Sequence, residues 1–385
     1  MAMRSWIGKD STPARREALW AYLFIAAPII GFLIFGAMPI IGSLFVSMTE
    51  WDLYTSPEWV GFENWSRNLS LNVAYLPQNV DVETGELLFR CGREKVVESK
   101  VPEYAGQTDT RGRPIICEPD LARASTVLPE GFTAWFTIPL FGREYVVGAR
   151  DPVFWQSLFN TVVLLMGVPI SLAISLALAL AMNQKILGTH FFRTVYYIPT
   201  ILPIAALALV WLWIFNPDFG LLNYLLRSFG LTDLGKTNWL QDVNTVKPAL
   251  IIMTVWRGLG YQMIIYVAGL QGISRQLYEA AEIDGAGAWA KFRYVTWPGL
   301  TPTAFFLLIT GLIGAFQIFQ EPAIMTNGGP YFASTTTVML IWQNAFRDLQ
   351  MGYAATQAWV LGVIIMALTV FNFFFARRWV FYETT

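Results

Sequence analysis

Glu279-Ala280-Ala281-Glu282-Ile283-Asp284-Gly285-Ala286-Gly287-Ala288-Trp289-Ala290-Lys291-Phe292-Arg293-Tyr294-Val295-Thr296-Trp297-Pro298 is a polar stretch between two long apolar runs. Ser274 is the expected N-cap ahead of it, and Gln276 to Asp284 are mostly good helix formers. Gly285 and Gly287 stop that helix, Ala288 to Tyr294 form a second short one, and Pro298 ends it. A helix–turn–helix of this size has too little apolar surface to be stable alone in water. It needs something to dock onto, and the apolar runs on either side need a membrane.

The composition agrees. Of 385 residues, 55% are hydrophobic and 14% charged, with a mean hydropathy of +0.46, whereas a soluble domain has about a quarter of its residues charged. The net charge of −1 gives no reason to expect a nucleic-acid partner. The chain has 16 Trp, 15 Tyr and 28 Phe, and several stand at the ends of apolar runs, as in interfacial belts. A single histidine, His190, excludes sites needing two, and no Cys/His cluster or catalytic constellation is present. No metal, no cofactor and no enzymatic activity are expected of this chain.

Residues 1–18 form a basic, cytoplasmic N-terminal segment, and the first span covers 19–48. That apolar run is too long for a signal peptide and is not followed by a small-residue cleavage site. Five further spans are expected at roughly 155–183, 191–215, 248–272, 302–325 and 354–376, each able to cross a core of about 30 Å. The reading is an all-α membrane protein of six helices, with a five-helix core at 152–378 that includes the loop 273–300. Pro28, Pro39, Pro169, Pro199, Pro203 and Pro322 within or at the ends of spans predict kinks or breaks. With the N-terminus inside, the inner segments hold Arg4, Lys9, Arg15, Arg16, Lys185, Arg193, Arg275, Lys291, Arg293, Arg377 and Arg378. The short outer loops hold only Arg227, Lys236, Lys247 and Arg347. Eleven against four puts both termini, and the Glu279 loop, in the cytoplasm. The outer loop 50–151 is too long to count under that rule.

Two features bear on a transport path. Trp256-Arg257-Gly258-Leu259-Gly260-Tyr261 places a cation in or near the membrane, a functional residue by default. Alternatively, Arg257 snorkels to the outer headgroups. Phe316-Gln317-Ile318-Phe319-Gln320-Glu321 puts aromatics and amides in one span; aromatic faces stack on sugar rings and amides bond their hydroxyls. Helix packing glued by amides is the other reading. A third feature misleads: Gly230 to Thr237 spells a phosphate-binding loop, yet it follows a short helix rather than a buried strand and lies on the outer side.

The spacing of Glu279-Ala280-Ala281, Gly285, Val295 and Pro298 resembles the EAA loop of ABC importer permeases, which usually have Leu where Trp297 stands. The resemblance implies a coupling helix seated in a cleft of a cytosolic ATPase. Ala280 and Ala281 would permit close entry and Glu279 would offer a carboxylate there; Asp284, Gly285 and Pro298 complete the ATPase-coupling set. It covers nearly the whole chain outside 69–149 and extends to Asp218–Asn223 and Asn327–Pro330, which are similar to the sugar-permease branch and to the larger permease of the maltose importer. By that likeness the substrate site would include Gly258 and Tyr261, with Arg257 nearby, on one span, and Gly311, Gly314, Ala315 and Ile318 on the other; the aromatic and amide reading of the residues adds Phe316, Gln317 and Gln320. Ala315 and Ile318 stand where the maltose permease has amides, which puts maltose itself in doubt.

In shorter relatives Gly61–Trp65 and Asp151–Trp155 resemble near neighbours, so 69–149 reads as an inserted small domain, with β-prone runs at Thr133–Leu140 and Tyr145–Val147. By resemblance it would contact a sugar-binding protein; a spacer is the alternative. Cys91 and Cys117 both lie in it, an even pair in an oxidising compartment that predicts a disulfide. Two free thiols are the alternative, since nothing in the sequence fixes their distance. The expected assembly holds a second homologous permease, a homodimeric ABC ATPase, and an extracytoplasmic sugar-binding protein, in a bacterial inner membrane. A di- or oligosaccharide such as an α-glucoside is the preferred substrate. An ion-coupled secondary transporter and an importer of glycerol phosphate are the other readings; Glu321 is the one candidate coupling carboxylate for the former.

Overall fold

The computed structural model describes residues 12–104, 106–108, 113–184 and 188–381, with backbone alone for 12–16 and 19. The basic residues Arg4, Lys9 and Lys185, which enter the charge count, lie outside the described residues, as do the side chains of Arg15 and Arg16. Helix α1 (Thr12–Phe32) runs through a π-turn into α2 (Met38–Val46). Trp20–Val46 is apolar and buries none of its residues against the rest of the chain. Two short strands, β1 (Thr49–Glu50) and β2 (Glu58–Trp59), and α3 (Glu63–Leu69) lead to the insert.

The insert is β-rich. Strands β3 (Leu71–Leu76), β4 (Leu88–Cys91), β5 (Glu94–Val97) and β6 (Cys117–Pro119), helix α4 (Ala124–Val127), then β7 (Thr133–Leu140) and β8 (Arg143–Ala149) form two antiparallel sheets. Their orders are β3-β8-β7 and β5-β4-β6. Cys91 and Cys117 stand opposite each other in the β4–β6 register, and a disulfide joins them. Asp120, 2% exposed at its side chain, takes Lys95 at 2.7 Å and Arg90 at 3.0 Å. The hydrogen bond from Lys95 is the main reason its carboxyl titrates below the usual aspartate range; Asn79 adds to it.

The membrane core follows. α5 (Pro152–Leu165) and α6 (Gly167–Met182) form one apolar run, started by Asp151, whose carboxylate accepts from the Phe154 N–H at 3.0 Å. α7 (Thr189–Ile201) and α8 (Ile204–Ile214) bend by 101° at Leu202–Pro203. The third expected span is thus a broken pair, because Pro203 has no N–H to continue the ladder. The described residues hold five long apolar helices, or six spans with that pair counted as one. After α9 (Leu221–Ser228) comes α10 (Val246–Gly272), which packs mainly on α6 and α7. A Cβ on Gly260 would collide with the Tyr196 carbonyl, so a small residue lets these two backbones meet.

Glu279 to Pro298 run through α11 (Arg275–Ile283) and α12 (Ala288–Lys291) into α13 (Trp297–Phe316). Pro298 does not end a helix: a π-turn over Phe292–Thr296 joins α12 to α13, and Pro298 falls in α13's first turn. The wider turn accommodates the ring and the missing N–H. The fifth expected span is therefore the helix Ala288–Phe316 rather than 302–325. α14 (Gln320–Met325) is separate, and α15 (Thr337–Trp342) and α16 (Met351–Ala376) complete the chain. Ser274 takes the N-cap position of α11, but its side chain makes no capping bond.

Two apolar clusters hold the core. One joins Leu164, Leu207, Trp211, Phe215, Leu250, Met253 and Met325. The other joins Ala179, Met263, Tyr266, Val267, Leu270, Leu300 and Leu307. On α10 the first ends at Met253 and the second begins at Met263, so the polar middle of that helix lies between them.

Candidate functional site

Between the two clusters is a cavity of about 550 Å³. Each element reaches it largely through small or polar residues: Gly167 and Ser171 on α6, Thr254, Arg257, Gly258 and Gln262 on α10, and Thr310, Gly311, Gly314 and Ala315 on α13. The fourth side is the break between α13 and α14, where Gln317, Ile318, Phe319, Gln320 and Glu321 line the wall. The aromatics and amides expected inside one span thus sit at a helix interruption.

Pro322 explains the break. In an unbroken helix the N–H of residue 322 would bond the Ile318 carbonyl, and Pro322 has none. The Thr336 hydroxyl donates to that carbonyl instead, at 2.7 Å. Asn160 holds the following segment by donating to the Phe332 and Thr335 carbonyls at 2.7 and 2.9 Å.

Of the residues expected to bind substrate, Arg257, Gly258, Gly311, Gly314, Ala315, Gln317, Ile318 and Gln320 line this cavity. Tyr261 and Phe316 do not. Tyr261 is 41% exposed on the flank of α10, and Phe316 is 2% exposed among packed side chains. Each helical residue turns about 100° from the last; Gly258 and Gln262, four apart, share the face that Tyr261 leaves. Gln262 was not singled out from the sequence, although an amide one turn beyond Gly258 was a readable signal. Its carbonyl accepts from Ser171 at 2.7 Å and Ser175 at 3.0 Å. That fixes its amide nitrogen 3.4 Å from where a Gly258 Cβ would stand.

Arg257 does not sit alone. Its guanidinium is 2.8 Å from Glu321, whose side chain is 3% exposed. Glu321, the carboxylate an ion-coupled mechanism would require, is committed to this pair. Arg257 also lines a neighbouring cavity of about 700 Å³ that shares Ile204, Phe319 and Gln320 with the first.

The second candidate site is the hairpin of α11 and α12. Gly285 has φ +74°, and the Ala286 N–H bonds back to the Ala281 carbonyl at 2.8 Å. This left-handed stop satisfies the helix end at a φ that favours glycine. Lys291 donates to Glu282 at 2.9 Å and ties α12 to α11. That hydrogen bond holds the Glu282 carboxyl below the ordinary glutamate range. Glu279, Ala280, Asp284 and Gly285 are exposed, Ala281 and Pro298 half-buried. Arg275 reaches Glu279 at 3.5 Å, an exposed pair of little energetic weight. No residue of α11 is buried, and Leu277, Ile283, Trp289 and Tyr294 are 46%, 87%, 74% and 76% exposed. Gly230–Thr237 follows α9 and ends in a short 3₁₀ turn, without the strand a phosphate-binding loop requires.

Comparison with known proteins places this geometry. The family model described as "Binding-protein-dependent transport system inner membrane component" matches residues 170–380. The chain is 31% identical over 380 residues to the probable ABC transporter permease protein YesP of Bacillus subtilis (strain 168), covering 98% of this chain and 96% of that one. It is 37% identical over 235 residues to the lactose transport system permease protein LacF of Rhizobium radiobacter, covering 60% and 78%. Among solved structures, a bacterial ABC transporter involved in the import of the acidic polysaccharide alginate aligns with TM-score 0.54 and 22% identity, over 59% of this chain and 80% of that one. That likeness is one of fold.

Proposed function

The chain belongs to the binding-protein-dependent transport system inner membrane component family, and from that membership we propose that it is the permease subunit of an ATP-driven sugar importer. Its helices form half of a pathway completed by a second, similar permease. A cytosolic ATPase dimer docks on the α11–α12 hairpin, with Glu279, Ala280, Ala281, Asp284 and Gly285 in contact, and does the hydrolysis. The cavity beside Gly258 and Gln262 takes the sugar, a di- or oligosaccharide, in line with the 37% identity to a lactose permease. The insert faces outward to a sugar-binding protein, and both termini are cytoplasmic in a bacterial inner membrane. ATP binding closes the ATPase pair and moves the hairpin, and the site changes from inward to outward access, a two-state shift driven by differential binding.

The observation that carries this reading is the hairpin: a rigid element that buries nothing of its first helix and presents Leu277, Ile283 and Trp289 to a partner. The test is purification of the tagged chain from its native membrane in mild detergent. An ATPase at about two copies per chain, with a second permease, is the expected result. The chain alone, or with only copies of itself, would overturn the proposal.

A further inference from the structure

We propose that the Arg257–Glu321 pair makes the cavity selective for an uncharged, polyhydroxylated substrate over an anionic one; the inference rests on the transport reading above. Arg257 and Glu321 are the charged residues among those lining the cavity, and their formal charges cancel. The remaining polar lining is neutral: Ser171, Thr254, Gln262, Thr310, Gln317 and Gln320. An isolated arginine here would recruit a phosphate or carboxylate. This one is already answered at 2.8 Å by a carboxylate on the broken wall.

The pair also leaves hydrogen-bonding capacity unused. Arg257 Nε and Glu321 Oε1 are buried, and neither has a hydrogen-bond partner among the described residues. The 2.8 Å contact is an ion pair without hydrogen-bond alignment. Both atoms are sealed from the cavity, so the pair meets a ligand as a neutral unit. A sugar hydroxyl both donates and accepts, and can bond the neutral hydroxyls and amides of the lining without meeting a net charge. A phosphate dianion can only accept. It would gain from Arg257 and be repelled by Glu321, which lies 2.8 Å from that guanidinium. The fold serves an acidic polysaccharide in one solved transporter and lactose is carried by a relative, so the backbone does not decide substrate charge. In this chain Glu321 decides it, which speaks against glycerol phosphate as the cargo.

The test uses the assembled complex, with second permease and ATPase, in lipid nanodiscs. Thermal unfolding is followed while lactose or sn-glycerol 3-phosphate is titrated. Lactose is expected to stabilise the wild-type complex and sn-glycerol 3-phosphate at equal concentration not to. In Glu321→Gln the guanidinium is unanswered, and the apparent affinity for sn-glycerol 3-phosphate rises about tenfold or more. Arg257→Gln combined with Glu321→Gln loses that gain, because no net charge remains. An assembled Glu321→Gln complex with no gain overturns the proposal. So does a wild-type complex that binds sn-glycerol 3-phosphate as tightly as lactose, or that responds to no neutral sugar; the wild-type comparison decides even if Glu321→Gln fails to assemble. These outcomes are separate from failure of the transport reading, which shows as a chain that brings down no ATPase.

Discussion

Gly258 and Gln262 show how single residues make the cavity. A Cβ on Gly258 would lie 3.2 Å from the Ser171 hydroxyl, tighter than ordinary contact. Gly258→Leu is expected to fill the space and abolish uptake by proteoliposomes while the complex still assembles on size exclusion. Gln262→Leu removes the acceptor of the buried Ser171 hydroxyl and leaves Ser175 only the longer bond to the Leu259 carbonyl, at 3.3 Å. It should cost about 1–3 kcal/mol of stability, seen as a lower melting temperature, together with reduced uptake. Arg257 was visible in the sequence as an intramembrane cation. Its partner was not assigned to it, because Glu321 is 64 positions away (321 − 257) and only the fold brings the two to 2.8 Å.

At the scale of elements, the α11–α12 hairpin combines local stops with one long tie. Gly285→Val places a β-branched residue at φ +74°, a backbone that costs about 1–2 kcal/mol for L-residues. It should diminish ATPase co-purification without altering the membrane helices, measured by stoichiometry in the purified complex. Because the folded Glu282 carboxyl titrates below its unfolded value, its tie to Lys291 stabilises the hairpin above the ordinary glutamate pKa of about 4.3. That contribution is lost as pH falls through the lower folded value. Hydrogen-exchange protection over 275–291, after correction for the intrinsic pH dependence of amide exchange, should therefore be flat from neutral pH to about pH 5 and, in the acid range, fade in wild type but not in Glu282→Gln, which lacks the ion pair throughout. In the insert, Asp120→Ala removes the buried acceptor that Lys95, Asn79 and Arg90 share. A loss of about 2 kcal/mol should appear as faster proteolysis between β4 and β6.

For the whole molecule, Trp20–Val46 is a span that buries none of its residues in its own chain and touches α16 near its C-terminal end, where Trp359 donates to the Ser43 hydroxyl at 3.1 Å. Such a helix is stable in lipid, which satisfies its apolar surface, and its backbone bonds are internal. It is free to pack on the second permease, and cysteine crosslinking from Phe24 or Ile34 should trap that subunit. Reporter fusions should put both termini and the hairpin on the cytoplasmic side and the insert on the other. The opposite pattern would remove the hairpin from the ATPase.

The sequence by itself determined the class. Apolar runs of span length need lipid, and a polar hairpin between two of them needs a partner; each is a local or compositional signal that survives without coordinates, as is the Lys and Arg count from which an orientation is proposed. The number of spans, counting the bent pair as one, and the β-rich insert follow from such signals, as does the glycine stop at Gly285. Tertiary structure decided the rest. Whether Pro298 and Pro322 end a helix or are absorbed depended on what could meet the freed carbonyls: a π-turn at the first, and the distant Thr336 hydroxyl at the second. The face of α10 that lines the cavity depended on which residues the two apolar clusters claimed. The charge of the site depended on a carboxylate carried to Arg257 by a broken helix, an encounter between residues remote in the chain that no local pattern encodes.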